Sequence, residues 1–295
     1  MEPVAYRELR QPDFLLRTLM LFPHPATSLW RAIEARELWK EFRIRGFRTP
    51  VLDLGCGDGR FSRAVFDNER IDVGVDISIS AVSTAQGSSN HANLLAGDAS
   101  RLPFRDGIFE TVFSNSVLEH IPSVENLLPE VKRVLKRGGV FVFTVPSPNF
   151  STFLFLSSLL QSIPILRTFG NWYSNKRNNL LSHNNIHPMG VWRNWLQAAG
   201  FPVVQGRFCL SKATIQVWDV MALIIYVFRR PMQASPRLLT YALRGSEGLR
   251  ISGLKFILRK FYLSSSAEGG DLIIVAGTQF ETPMIGQRIR RASSR

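Results

Sequence analysis

The stretch that most constrains this chain is Val51-Leu-Asp-Leu-Gly-Cys-Gly-Asp-Gly-Arg-Phe61. An apolar run enters a loop with glycines at Gly55, Gly57 and Gly59, and an amphipathic segment follows. This reads as a buried strand, a tight turn and a helix start. Glycine there lets the backbone take positive φ and lets a ligand come close. A dinucleotide loop has the spacing G-x-G-x-x-G. Here the third glycine comes one residue early, and Arg60 stands where it would be. Asp53, two residues before the first glycine, would repel a pyrophosphate and suits a cationic ligand.

A second apolar run, Ile71-Asp-Val-Gly-Val-Asp76, ends in a carboxylate 19 residues after Gly57. In a doubly wound sheet that carboxylate lies beside the glycine loop and can accept hydrogen bonds from ribose hydroxyls. Its competing role is to cap a helix over Ser78–Gln86, which Ser78 can do alone. Then come Leu94-Leu-Ala-Gly-Asp98-Ala99, a strand over Phe109–Phe113, the segment Ser114-Asn-Ser-Val-Leu-Glu-His120, and a basic helix end at Val131–Gly139. A strand over Val140–Pro146 closes this half.

The pattern Asp53-x-Gly55-x-Gly57-x-Gly59, with the ordered segments after it, resembles the class I S-adenosylmethionine (SAM)-dependent methyltransferases, in their small-molecule type 11 branch. The resemblance is strong over 48–148 and resumes weakly at Met189–Phe208 and Asp271–Thr278. It implies an α/β, Rossmann-like, doubly wound sheet of seven strands in the order 3-2-1-4-5-7-6, and SAM as cofactor. It also implies that Asp53, Gly55, Cys56, Gly57 and Gly59 hold the methionine part and that Asp76 and Ile77 meet the ribose. Asp98 and Ala99 would meet the adenine, and Asn115 would line the pocket.

The chain has 295 residues, 45% of them hydrophobic, which excludes a disordered polymer. Its two cysteines, Cys56 and Cys209, lack metal-ligand spacing, so a reducing compartment is expected. The first residues carry no signal-peptide pattern, and no apolar run reaches the length of a membrane span. The expected location is cytoplasmic, peripheral on the inner face of a membrane.

Five segments are expected: a helical prelude (1–47), a SAM-binding core (48–148), an apolar insertion (149–188), the rest of the sheet (189–280) and a basic, disordered tail (281–295). In the prelude, helices are expected over Phe14–Phe22 and Ser28–Phe42, the second capped by Thr27 or Ser28. A further insertion, 212–267, interrupts the fourth segment. Both insertions fall after strands that open on the ligand-binding edge. The net charge is +13, and Arg229 to Lys260 holds eight basic residues against Glu247 alone. Basic helices beside apolar runs suggest contact of 150–166 and 217–263 with a lipid surface. Packing of a lid core is the competing reading.

Methyl transfer needs a base only when the acceptor must lose a proton. The candidates are His120, His183 and His187. No metal is expected: a related quinone O-methyltransferase group uses Glu-x-x-Glu-His, and Ser116-Val-Leu-Glu119-His120 lacks the first carboxylate. The expected acceptor is a small or lipid-like molecule. Nucleic acid fits the charge but not the motifs, because the Asn/Asp-Pro-Pro-aromatic signature is replaced by Ser114-Asn115-Ser116-Val117. The rivals are an RNA methyltransferase and a non-catalytic, SAM-binding protein of the membrane surface.

Overall fold

The computed structural model describes residues 11–67, 69–234, 247–264 and 267–277. The expected basic tail, Arg237 and Arg244 lie outside the described residues, as does part of the 212–267 insertion.

Seven strands form one sheet: β1 (Val51–Leu54), β2 (Ile71–Asp76), β3 (His91–Ala96), β4 (Phe109–Asn115), β5 (Leu135–Pro146), β6 (Val203–Cys209) and β7 (Asp271–Gly277). Their order is β3-β2-β1-β4-β5-β7-β6, as the resemblance implied. The first five strands are parallel, and β7 runs antiparallel between β5 and β6. Every residue of β1 and β7 is buried, as expected for strands covered on both faces.

The two faces follow from the period of two. Along β5, Val140 and Val142 join one core, whereas Phe141, Phe143 and Val145 join the other. Along β7, Ile273 and Val275 face the first core, and Leu272, Ile274 and Ala276 the second. The first core is closed by α1 (Phe14–Leu21), α2 (Pro25–Arg45) and α3 (Arg60–Phe66). The second is closed by α5 (Val124–Val134) and α9 (Met189–Ala198). Helix α4 (Ile79–Gln86) links β2 to β3.

Two local expectations are corrected. Helix α2 begins at Pro25, whose fixed φ suits a first turn. Ser28 is therefore inside the helix, where its hydroxyl donates to Thr18 O (3.1 Å) and His24 O (3.0 Å) rather than capping. Helix α5 stops at Val134, not at the glycines. Leu135 instead pairs with Phe109, and the register shifts between Phe109 and Thr111, so Leu135–Gly139 extends β5. Strand pairing overrides the local basic-plus-glycine stop signal.

After β5 the chain forms α6 (Asn149–Phe153), α7 (Phe155–Gln161) and α8 (Arg167–Leu180). Between β6 and β7 come α10 (Lys212–Ala234) and α11 (Glu247–Tyr262). Helix α10 packs against α7 and α11, so the two insertions meet.

Candidate functional site

A cleft of about 750 Å³ opens at the carboxyl edge of β1, β2 and β4. It collects Gly55, Cys56, Gly57, Asp76, Ile77, Asp98, Ala99, Asn115 and His120 from the sequence-derived candidates. The parallel strands β1 to β4 deliver their carboxyl ends there, where open α/β sheets bind ligands.

The glycine loop is tied to β2. Gly55 N and Cys56 N both donate to Val75 O, at 2.7 and 3.0 Å. Gly55, Gly57 and Gly59 have φ of 80°, 55° and 76°. A Cβ on Gly55 would stand 2.3 Å from Val117 Cγ2, and one on Gly59 2.3 Å from Ser89 Cβ. At Gly57 a Cβ would meet nothing within 4 Å, so the space over that residue is open.

Asp76 serves the loop and the helix together. Its Oδ2 accepts from Gly57 N and its Oδ1 from Ser78 N, both at 2.8 Å. Ser78 caps α4 as well, its hydroxyl accepting from Ala81 N at 3.3 Å. Each carboxylate oxygen keeps a second lone pair for another donor. Asp98 is exposed on the rim, and hydrogen bonds from Ser100 hold its carboxyl below the usual range. Burial pushes the Cys56 thiol far up, so it is a filler and not a nucleophile.

Asp53 is not in the cleft. It is buried, and its Oδ2 lies 2.8 Å from His91 Nε2. His91 sits on β3 and reaches past β2 because Gly74 has no side chain; a Cβ there would come within 2.7 Å of the ring. The carboxylate is therefore a strut under the loop rather than part of its ligand-facing surface. Gly59 lines no part of the cleft either, and acts as the left-handed entry to α3.

The three histidines separate. His120 lies on the rim, in a short 3-10 turn (Leu118–His120). Its Nδ1 is 3.0 Å from Ser182 O, a carbonyl, which makes Nδ1 the donor. His183 lies 5.9 Å from it, ring to ring. Burial, with help from His120 and Arg177, pushes His183 down to about 4. His187 packs edge-on against Trp195 at 4.8 Å and lines no part of this cleft.

Sequence reading missed a buried polar network beneath the cleft. Glu34 of α2 accepts from Arg31 Nη1 (2.7 Å), Ser116 Oγ (2.6 Å), Asn115 Nδ2 (3.1 Å) and Thr144 Oγ1 (3.3 Å). Arg31 thereby becomes part of the cleft wall. The signal available was the Arg31–Glu34 spacing of one helical turn, and it is masked by Arg36, Glu37, Lys40 and Glu41 on the same helix. Glu119, weighed from sequence only as a metal ligand, is 2% exposed, and burial pushes it up to about 8, Glu34 adding to the rise. Among the described residues no group of three or more His, Cys, Asp or Glu converges on a metal position.

Residues 52–143 match the family model for a type 11 methyltransferase domain. Over 105 residues the chain is 34% identical to the malonyl-acyl-carrier-protein O-methyltransferase of Legionella pneumophila, covering 34% of this chain and 37% of that protein. Over 99 residues it is 35% identical to a sterol 24-C-methyltransferase of Gibberella zeae, covering 31% of this chain and 26% of the relative. The chain thus spans well under half the length of these curated relatives. The fold is shared with a solved SAM-dependent methyltransferase of Thermotoga maritima, at a TM-score of 0.51 and 14% identity, covering 84% of this chain and 91% of that one.

Proposed function

The chain belongs, through residues 52–143, to the type 11 branch of the class I SAM-dependent methyltransferases, and we propose that the whole protein methylates a small, predominantly apolar acceptor held under its helical insertions. When bound, SAM would supply a methyl group already activated by a sulfonium. The residues present fit it. The space above Gly57 is open, Asp76 has lone pairs to spare for a ribose, and the cleft volume of about 750 Å³ leaves room beside a nucleoside.

In this reading the backbone at Gly55, Cys56 and Gly57 cradles the methionine part, and Ile77 lies beside the Asp76–ribose contact. Asp98 and Ala99 border the adenine, and Asn115, fixed by Glu34 and Thr144, sets the floor. The chain contributes to rate first by orientation and exclusion of water. The observation that carries the reading is the Asp76–Gly57 hydrogen bond, which locks acceptor lone pairs to an open glycine loop at the ligand edge.

The test is incubation of the protein with methyl-labelled SAM and a cell extract, followed by partition into lipid, aqueous, protein and RNA fractions. We expect label in the lipid or apolar metabolite fraction. Label confined to RNA would support the nucleic-acid rival, and no turnover on any fraction would support a non-catalytic binding protein.

A further inference from the structure

A second cavity of about 180 Å³ adjoins the cleft and shares Arg31, Ser116 and His120 with it. Its other walls include Trp30, Trp218, Glu119 and His183. We propose that this cavity is the acceptor subsite, that it receives a primary or secondary amine as its ammonium form, and that Glu119 takes the amine's proton. This deepens the methyltransferase reading and rests on it for what happens to the amine afterwards.

One wall of the cavity is Glu119, a buried carboxyl with an unused oxygen. Glu119 Oε2 has no hydrogen-bond partner among the described residues, although the side chain is almost fully enclosed. Its other oxygen, Oε1, is 3.9 Å from His120 Nε2, too far for a hydrogen bond. Leaving a buried polar atom unpaired is costly, and a cationic donor is the partner that relieves it most.

The charged groups around Glu119 favour a cation. Helix α2 brings Arg31 and Glu34, but Arg31 Nη1 is committed to Glu34 and to Ser116 Oγ, each at 2.7 Å. From β7 comes Asp271, buried and pushed up by its own burial and by Glu34 and Glu119. His120 shares the 3-10 turn, and His183 is held uncharged near neutral pH by burial. Arg177 of α8 is neutralised by Asp219 at 3.2 Å. Near neutral pH burial keeps Glu119 and Asp271 protonated and Arg31 is balanced by Glu34, so the groups facing Glu119 place no unpaired positive charge against an ammonium.

The aromatic walls point the same way. Trp30 and Trp218 meet edge to face at 5.2 Å, and Arg177 already lies 4.8 Å over the Trp218 ring. The Trp30 indole, which also lines the cavity, offers a ring to an ammonium. A phenolate acceptor would set a second negative charge beside the Glu34 carboxylate, whose one partner cation, Arg31, is already shared. An aliphatic alcohol is too weak an acid for a carboxylate to deprotonate.

The proton step balances within the protein and the acceptor. The ammonium N–H bond breaks, the electron pair stays on nitrogen, and an O–H bond forms at Glu119 Oε2, turning carboxylate into acid. The freed lone pair is the nucleophile that methyl transfer requires.

The experiment uses the protein without cofactor and three probes, 2-phenylethylamine, 2-phenylethanol and 4-ethylphenol, titrated calorimetrically, with S-adenosylhomocysteine titrated separately. At about pH 7 the amine should bind at least tenfold more tightly than the alcohol or the phenol. Its binding should release a proton as Glu119 ionises against the cation, read from heats in buffers of different ionisation enthalpy. Glu119→Gln should abolish both the preference and the proton release while S-adenosylhomocysteine still binds. Equal affinity for amine and alcohol in the wild type overturns the proposal without recourse to any variant, as does an amine preference that survives in Glu119→Gln. If the amine preference holds but S-adenosylhomocysteine does not bind, the ammonium pocket stands and the cofactor reading falls.

Discussion

At Asp76 one carboxylate does two jobs, and their separation is measurable. It holds Gly57 N and Ser78 N, so removing it leaves two donors without partners. An unpaired donor costs about 1–3 kcal/mol when fully buried and less at these half-buried positions, which still loosens the loop before any ribose contact is counted. Asp76→Ala is expected to weaken S-adenosylhomocysteine binding by more than tenfold in calorimetry; unchanged affinity would remove Asp76 from the site. Glu119 makes a different prediction, about pH. Its carboxyl titrates at about 8 in the fold, against an ordinary value of 4.5. Between those values the folded chain keeps a proton that the unfolded chain releases, so this group's stabilisation falls as pH rises from about 4.5 to about 8. Each pH unit between the folded and unfolded titration points corresponds to roughly 1.4 kcal/mol, which makes the effect several kcal/mol at most. Urea midpoints taken from pH 5 to pH 8 should decline, and Glu119→Gln should flatten much of that decline. Asp53 and Asp271, also raised by burial, will leave a residual slope of the same sign.

The glycine loop is one element with two kinds of glycine. Gly55→Ala meets both a positive φ and Val117 within 2.3 Å, whereas Gly57→Ala meets only the positive φ. The left-handed conformation alone costs about 1–2 kcal/mol for a residue with a Cβ. We expect Gly55→Ala to lower the thermal midpoint by several degrees and to lose S-adenosylhomocysteine binding. Gly57→Ala should keep most of the stability yet still lose binding, because its Cβ would enter the open space. A Gly57→Ala protein that binds normally would show that the ligand does not approach there. This loop and Asp76 were legible because each is written locally, as apolar runs punctuated by glycine and ended by a carboxylate; the strand order was implied by the family resemblance. What was not legible depends on neighbours brought from far along the chain. Asp53 looked like a ligand residue, since nothing in its own segment says that His91 arrives across Gly74. The end of α5 at Val134 depends on Phe109 claiming Leu135. On α2, Arg31 and the buried Glu34 have meaning only beside Asn115, Ser116 and Thr144.

For the molecule as a whole, the two insertions leave apolar side chains on the outside of the fold. Ile165 is 84% exposed, Phe169 60% and Trp172 59%, with Lys176 lying 5.2 Å over the Trp172 ring. On α11, joined to α7 through α10, Phe256 is 83% exposed and Ile257 63%, among Arg250, Lys255, Arg259 and Lys260. No helix of the described residues is long and apolar enough to cross a bilayer. Side chains of this kind, set among cations, instead match a segment lying in the headgroup layer. Burying three such side chains contributes at most about 1.5–3 kcal/mol each, and a basic residue near anionic lipid adds about 1 kcal/mol. Together these exceed the several kcal/mol that measurable partitioning requires. The replacement of Ile165, Phe169 and Trp172 together by serine removes surface groups that brace no buried cluster, so the thermal midpoint should hardly move. Binding to vesicles containing a third phosphatidylglycerol should fall by at least tenfold in a flotation assay. Binding of the wild type should weaken further as salt rises from about 0.05 to about 0.5 M, since screening shortens the reach of the basic residues. If the triple variant floats with vesicles as the wild type does, or if purely zwitterionic vesicles bind equally well, the exposed apolar face has no lipid partner. The acceptor would then have to enter the cleft from water.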